Sequence, residues 1–365
     1  EQMGIQPESS HHEEGPGQNE IDFRYSDALS SADNAMNFLT VVKAVAIQNG
    51  LYADFSPKPL IGESGNGLRL YRYPKALCDS MGCAALKSTY GRYVSQTTTG
   101  CEIRFVTEGD RALISLSSID QDGYVEVYRG DFRYYTGYTY IYPVRKGQVT
   151  HIELIKAPGF EALDPSLKRK KGGFSADVWR VMSDINFTMT LVDFEDYGYA
   201  VRPPRPDELP EKTLLCYGTS LTYGACASSQ SVCWCQLLGR MLNVNLLNKA
   251  MGGSCMNEAG VADWFASPDC HFDALLLENA VNMGDHAEEY ERRCAYLLDR
   301  MAEKKPHIPI YMLTCFPNSG VSAPGCASPV VKKADAEASG NLKTDAVIRR
   351  LAARYPQVTL RARTW

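Results

Sequence analysis

The chain has 365 residues, 44% of them hydrophobic and 22% charged, with a formal net charge of −5. That length allows two or three domains of ordinary size, and the composition is that of a globular protein with its own core. The mild negative charge gives no footprint for nucleic acid, and no apolar run reaches the roughly 18 residues a membrane helix needs, so neither nucleic acid nor membrane is an expected partner.

The chain opens at Glu1 with no apolar leader behind it, so its start is expected to be either processed or the edge of an incomplete reading frame. Twelve cysteines are scattered without a Cys-x-x-Cys pair, and Cys233-x-Cys235 has no His or Cys partner motif nearby. They read as reduced, mostly buried thiols of a cytoplasmic protein, with neither a disulfide framework nor a zinc site. The basic run Lys168-Arg169-Lys170-Lys171, followed by two glycines, reads as an exposed loop.

Residues 1–69 begin with a polar, acidic stretch from Glu8 to Asp22. A helical pattern follows from Ser31 to Gln48, with Ser31 as the expected N-cap, Phe38, Leu39, Val42, Val45 and Ala46 at helical spacing, and Gly50 as the stop. Carboxylates and imidazoles at the density of residues 8–20 suit a divalent cation as well as they suit a solvated acidic turn. Residues 1–68 resemble an internal piece of glutamine synthetase, on His11-His12-Glu13, Pro16-Gly17-Gln18-Asn19-Glu20-Ile21, Pro57-Lys58-Pro59 and Gly65-Asn66-Gly67 in order. By that resemblance Glu13 and Glu20 stand where the family has metal-ligating glutamates, while Arg69 stands where a ligand histidine is expected. The ATP-binding region and remaining ligands are absent, so no competent Mg²⁺ or Mn²⁺ site is expected.

Residues 70–201 are rich in Tyr, Val, Ile and Thr. Strands are predicted at 100–107, 111–117, 123–129, 139–144, 148–155 and 186–192, which together suggest a jelly-roll-like antiparallel sandwich. Tyr134, Tyr135, Tyr138, Tyr140 and Tyr142 are open to two readings, a sugar-binding face or the ordinary aromatics of a sheet. Residues 202–213 hold four prolines and read as a linker.

From residue 214 to 365 strands and helices alternate, which predicts an α/β unit with a parallel sheet flanked by helices. Strands are expected at 214–217, 244–248, 274–278 and 308–315, and helices at 231–242, 287–302 and 332–354. Open parallel sheets bind ligands at the carboxyl ends of their strands. Three such ends carry polar loops: Gly218-Thr219-Ser220-Leu221-Thr222-Tyr223-Gly224, Lys249 to Ser254 with Gly252-Gly253, and Asn279 to Met283. A serine on a tight turn, with backbone N–H groups and an amide beside it, is the company an acyl-transfer nucleophile needs.

These blocks resemble the SGNH/GDSL hydrolases over residues 214–315, an ester-hydrolysing, lipase-like family, with the sandwich similar to that attached to a subgroup of them. The resemblance implies Ser220 as nucleophile, and Gly253 and Asn282 as oxyanion donors together with the Ser220 N–H. It implies no cofactor, and carbohydrate or other small acyl esters as substrates. Ala280 replaces the usual glycine before the asparagine. The family's Asp-x-x-His block, expected after a strand near Val358–Leu360, is not found, and no histidine follows His307. The unit is therefore expected to be C-terminally truncated and its catalysis impaired. His271 and His307 precede strands, at the wrong end of the sheet, and His286 is expected at the surface. A non-catalytic carbohydrate-binding protein and a glutamine synthetase remnant are the alternative readings.

Overall fold

A computed structural model of the chain describes residues 7–12, 19–48, 68–82, 90–135, 139–284, 286–315 and 340–361. At the N-terminus β1 (Pro7–His12) and β2 (Asn19–Phe23) form an antiparallel hairpin that sets His11 opposite Glu20. Helix α1 (Ala28–Gln48) begins ahead of the expected cap at Ser31. Asp27 caps it instead, accepting from the N–H groups of Leu29 at 3.1 Å and Ser30 at 3.0 Å, two open donors of the first turn. Ser31 N–H is already bonded to the Asp27 carbonyl and lies inside the helix. None of the described side chains of α1 is buried, and Leu29 is 73% and Met36 65% exposed. Phe23 packs edge-on against Phe38, and Lys43 reaches Glu195 at 3.8 Å.

The next elements are β3 (Leu68–Arg69), α2 (Lys75–Ser80), α3 (Tyr90–Gln96), β4 (Glu102–Thr107), β5 (Arg111–Ser118), β6 (Gly123–Arg129), β7 (Phe132–Arg133), β8 (Ile141–Val144) and β9 (Thr150–Ile155). Two short turns, α4 (Pro158–Glu161) and α5 (Pro165–Lys168), lead to β10 (Trp179–Ser183), β11 (Met189–Glu195) and β12 (Val201–Arg202). They make two antiparallel sheets. One has the order β12-β4-β10-β6-β7, with β8 also on β6, and the other β3-β11-β5-β9. Alternation turns Val125 and Val127 inward against Ile114, Leu116, Ile152, Trp179 and Val181, a closed core between the sheets.

Three local differences from the sequence reading have physical causes. Asn186 takes a positive φ of 68°, and Thr188 N–H is bonded to Asp120, so the turn runs on and β11 starts at Met189. Strand β10 escapes the pattern because Arg180 sits in it, paired with Glu102 on the neighbouring strand at 2.6 Å. The proline-rich stretch is tied down: Arg202 pairs as part of β12, and its guanidinium bonds both oxygens of Glu208 at 2.7 Å.

The last part contains β13 (Thr213–Gly218), α6 (Ser220–Tyr223), α7 (Trp234–Leu242), β14 (Asn245–Asn248), α8 (Ala259–Ala266), β15 (Ala274–Glu278), α9 (Ala287–Lys304), β16 (Ile310–Leu313), α10 (Gly340–Arg354) and β17 (Val358–Arg361). The strands form one parallel sheet in the order β14-β13-β15-β16-β17. Leu215, Tyr217, Leu275, Leu277, Ile310 and Met312 point to the face covered by α8, α9 and α10. Leu214, Cys216, Leu276 and Leu313 point to the other, towards α7. Tyr290, Cys294, Leu297, Leu298 and Met301 recur at helical spacing and bury one stripe of α9. Helix α7 starts later than expected because Gln230–Val232 form a 3₁₀ turn and Cys233 is extended. Residues 332–339 of the last expected helix lie outside the described residues.

Helices α2 and α3 do not join the sandwich core. Tyr73, Cys78, Met81 and Val94 are buried in the same cluster as β13 and α8. Among the described residues no helix is long and apolar enough to cross a membrane.

Candidate active site

Three loops meet at the carboxyl edge of the parallel sheet. The first follows β13. Thr219 N-caps the single turn α6, Ser220 is its first residue, and Gly224 ends it with a left-handed φ of 104°. Gly218 has no room for a side chain: a Cβ would lie 2.4 Å from Thr222 Oγ1 and 2.9 Å from the Glu278 carbonyl. Ser220 is half-buried, and among the described residues its hydroxyl has no hydrogen-bond partner.

The turn is held from below by a buried carboxyl. Glu278, 2% exposed at the end of β15, accepts from Thr219 N–H at 3.0 Å, Thr219 Oγ1 at 2.8 Å and Thr222 Oγ1 at 2.8 Å. Burial pushes this carboxyl above the ordinary glutamate value, and the bonds from Thr219 and Thr222 pull the other way. In the sequence Glu278 ends a strand and opens the Glu278-x-x-Val281-Asn282-Met283 block, with no role of its own. The signal that could have found it is the pair of threonines flanking Ser220, whose hydroxyls need a buried acceptor.

The second loop follows β14. Buried Asn248 donates to the Thr222 carbonyl at 3.0 Å and accepts from Ala250 N–H at 3.0 Å. Met251 N–H reaches the Gly218 carbonyl at 2.8 Å, so the first two loops are joined directly. Gly253 is exposed with a φ of +68°, and Tyr90 of α3 stands 3.5 Å from where its Cβ would be. Tyr93 packs beside Tyr90 with ring centroids 5.6 Å apart.

The third loop follows β15. Asn282 lies in the 3₁₀ turn Val281–Met283, and its Oδ1 accepts from Cys255 N–H at 3.1 Å. A backbone donor at that oxygen fixes the amide orientation and leaves Nδ2 as a donor. Behind it Asn279, Asn257 and Tyr290 form a closed buried network, with Asn279 Nδ2 donating to Asn257 at 2.6 Å and Tyr290 donating to Asn279 at 3.1 Å.

The part before the sandwich braces these loops. Arg72, 2% exposed, donates to the Thr97, Val94 and Ala250 carbonyls at 3.0, 2.8 and 2.7 Å. Tyr223 Oη bonds Thr97 and Thr99 at 2.8 and 2.7 Å. Sequence reasoning missed Arg72, because its acceptors are carbonyls far along the chain.

His271 and His307 precede β15 and β16 and are exposed. His286 is exposed at the N-cap of α9, its backbone N–H bonded to Met283. In the N-terminal hairpin Glu20 is exposed on β2, and Glu13 lies outside the described residues. Among the described residues no three His, Cys, Asp or Glu side chains form a group that could hold a metal ion. A groove of about 560 Å³ lies on the α7 face, lined by Leu214, Trp234, Leu238, Leu276, Tyr311 and Leu313, away from Ser220. Of the tyrosines open to a sugar-binding reading, Tyr134 is buried against Trp179, Tyr135 is exposed and packs on Tyr140, and Tyr138 lies outside the described residues.

Residues 211–323 match the GDSL-like lipase/acylhydrolase family, and residues 1–71 match the catalytic domain of glutamine synthetase. The salicylyl-acyltransferase SsfX3 of a tetracycline biosynthetic pathway shares the fold, with a TM-score of 0.60 and 11% identity over 80% of this chain and 77% of that one. A GDSL-like lipase from Bacteroides ovatus ATCC 8483 does so with a TM-score of 0.53 and 14% identity over 80% of this chain and 81% of that one. The N-terminal segment is 54% identical over 70 residues to glutamine synthetase of Clostridium saccharobutylicum and 56% identical over 69 residues to that of Pyrococcus abyssi. It spans 16% of the length of each and 19% of this chain. The chain thus carries a GDSL-like lipase/acylhydrolase domain over residues 211–323, behind a segment of a glutamine synthetase catalytic domain over residues 1–71.

Proposed function

We propose that the three loops form a site for serine-dependent ester hydrolysis. Ser220 is the nucleophile, and the Gly253 N–H, the Asn282 amide and the Ser220 N–H are the oxyanion donors. The observation that carries this reading is the Cys255 N–H on Asn282 Oδ1, which leaves Nδ2 as a preset donor at the same sheet edge as Ser220. Ser220 Oγ attacks the acyl carbonyl, the oxyanion develops among the donors, and the alcohol leaves as the carbonyl re-forms. Water then releases the acyl group from Ser220. This sequence of steps uses side chains and backbone of the chain and needs no cofactor.

The weak point of the constellation is the proton of Ser220. No histidine follows His307 in the sequence, and His271 and His307 stand before strands, at the far edge of the sheet. A positioned general base is worth about 10²–10⁴-fold in rate. Residues 1–365 by themselves are therefore expected to turn over slowly, with the proton passing to solvent. The substrates are small acyl esters, carbohydrate-linked ones included, with Tyr90 and Tyr93 as the aromatic wall beside Gly253.

The test is hydrolysis of p-nitrophenyl acetate and of acetylated sugars by the chain and by Ser220→Ala. A slow hydrolysis that disappears in Ser220→Ala supports the assignment. Rapid hydrolysis unchanged by that substitution removes it.

A further inference from the structure

Two thiols face each other beneath the Ser220 turn. Cys233 is the N-cap of α7, and Cys235 is the second residue of that helix. Cys233 is extended, with φ −65° and ψ 151°, and the helix begins directly after it. That change of direction folds the two side chains together, with the sulfurs 3.4 Å apart. Both residues are buried, at 2% and 0% exposure. Gln230 Nε2 donates to Cys233 Sγ at 3.6 Å, and Asn248 Nδ2 lies 3.6 Å from Cys235 Sγ. Cys235 also donates to the Thr222 carbonyl at 3.2 Å, the same oxygen that Asn248 bonds at 3.0 Å. The proton of Cys235 therefore serves either Cys233 or the nucleophile turn.

We propose that Cys233 and Cys235 form a redox-active dithiol that peroxide closes to a disulfide, and that closure loosens the Ser220 turn through Thr222. The pairing itself does not depend on the reading of Ser220 as a nucleophile. The Cys235 S–H favours the Cys233 thiolate most, burial opposes it, and the Gln236 and Cys235 N–H groups at the open end of α7 and Arg240 tip the thiol below its ordinary value. The Cys235 thiol is pushed well up, first by its bond to Cys233 and then by burial, and stays protonated.

The Cys233 thiolate attacks one peroxide oxygen. An S–O bond forms, the O–O bond breaks, and the hydroxide that leaves takes up a proton to become water. The Cys235 sulfur then displaces hydroxide from the sulfenic acid, the S–S bond forms, and the proton of Cys235 completes the second water. Two thiols lose two electrons, and one peroxide gains them. The sulfurs must close from 3.4 Å to about 2.05 Å, a shift that small side-chain rotations supply. A ring spanning only one intervening residue is strained and hence readily reduced by thiols. Once it closes, neither sulfur carries a proton, and the Thr222 carbonyl keeps Asn248 as its side-chain donor.

The full chain is treated with hydrogen peroxide, denatured, alkylated and analysed by peptide mass spectrometry, with exposed Cys226 as the internal control for oxidation. The expected result is a loss of two hydrogens assigned to the 233–235 stretch and two fewer alkylated thiols, both reversed by dithiothreitol. Amide exchange over residues 219–225 is expected to rise in the oxidised chain. In Cys235→Ser, and in Cys235→Ala if the serine variant does not fold, a sulfenic acid at Cys233 should be trapped by dimedone instead. Free Cys233 and Cys235 after Cys226 has oxidised, or pairing of either with another cysteine, overturns the dithiol. Unchanged exchange over residues 219–225 in the closed form overturns the link to the turn.

Discussion

Replacing Glu278 by alanine should destabilise the α/β unit more than a surface substitution can. Thr219 and Thr222 are both fully buried, and Glu278 is the side-chain acceptor for both hydroxyls. Thr219 N–H keeps the Glu278 carbonyl at 3.1 Å, so the two hydroxyls are the groups left unpaired. Each buried, unsatisfied donor costs about 1–3 kcal/mol, so the expected loss is roughly 2–6 kcal/mol. That is a large part of the about 5–15 kcal/mol that holds a typical domain folded. Urea denaturation followed by circular dichroism reads it as a drop in midpoint with unchanged slope. Glu278→Gln keeps a carbonyl acceptor and should stay within about 1 kcal/mol of the parent, on the same reasoning. Thr222→Val should cost less in the Glu278→Ala background than alone, because the orphaned hydroxyl has then been removed. A Glu278→Ala chain within about 0.5 kcal/mol of the parent, the range of an ordinary surface change, would refute this account of the turn.

Two further outcomes follow from the same fold. Burial works against the Glu102 carboxylate, but Arg104 and Arg180 hold it down to about 2 in the fold. A folded value below the unfolded one adds stability that is fully present above about pH 4.5 and is lost as the pH falls towards 2. Thermal melts should show that acid loss, and Glu102→Gln should flatten it; equal slopes for the two chains would contradict the assignment. Deleting residues 1–67 should leave the melting of the remainder nearly unchanged, since no described side chain of α1 is buried and Lys43–Glu195 is a long, half-buried ion pair at 3.8 Å. A fall of more than about 4 °C, the order expected for 1 kcal/mol or more, would show that the segment carries core contacts.

The sequence shows a strand best where its pattern meets no competing signal. Ala274–Leu277 is a continuous apolar run closed by Glu278, and Gly123–Arg129 alternates between a glycine and a turn, so both are read at their observed limits. Trp179–Ser183 is hidden by Arg180, whose charge is neutralised by Glu102 from a strand far away in sequence. The same limit applies at the site. Ser220, Gly253 and Asn282 announce themselves by motif, because the strand-end loops that hold them are local. The contacts of Glu278 and Arg72 depend on which loops the sheet order brings together, whereas Cys233-x-Cys235 is visible as a spacing and only the extended backbone at Cys233, which folds the two sulfurs together, is not. The start of α1 shows a milder case: Ser26, Asp27, Ser30 and Ser31 are all capping types, and only the backbone path selects Asp27.

The central claim is that Ser220 is the reactive hydroxyl of a site that wants an imidazole. Its most direct test is p-nitrophenyl acetate hydrolysis by the chain and by Ser220→Ala across a series of added imidazole concentrations, which supply a base from solution. The account predicts a rate above the Ser220→Ala background that grows with imidazole, since the free base takes the proton that no side chain among the described residues accepts from Ser220. Equal rates for the two chains at every imidazole concentration would contradict it.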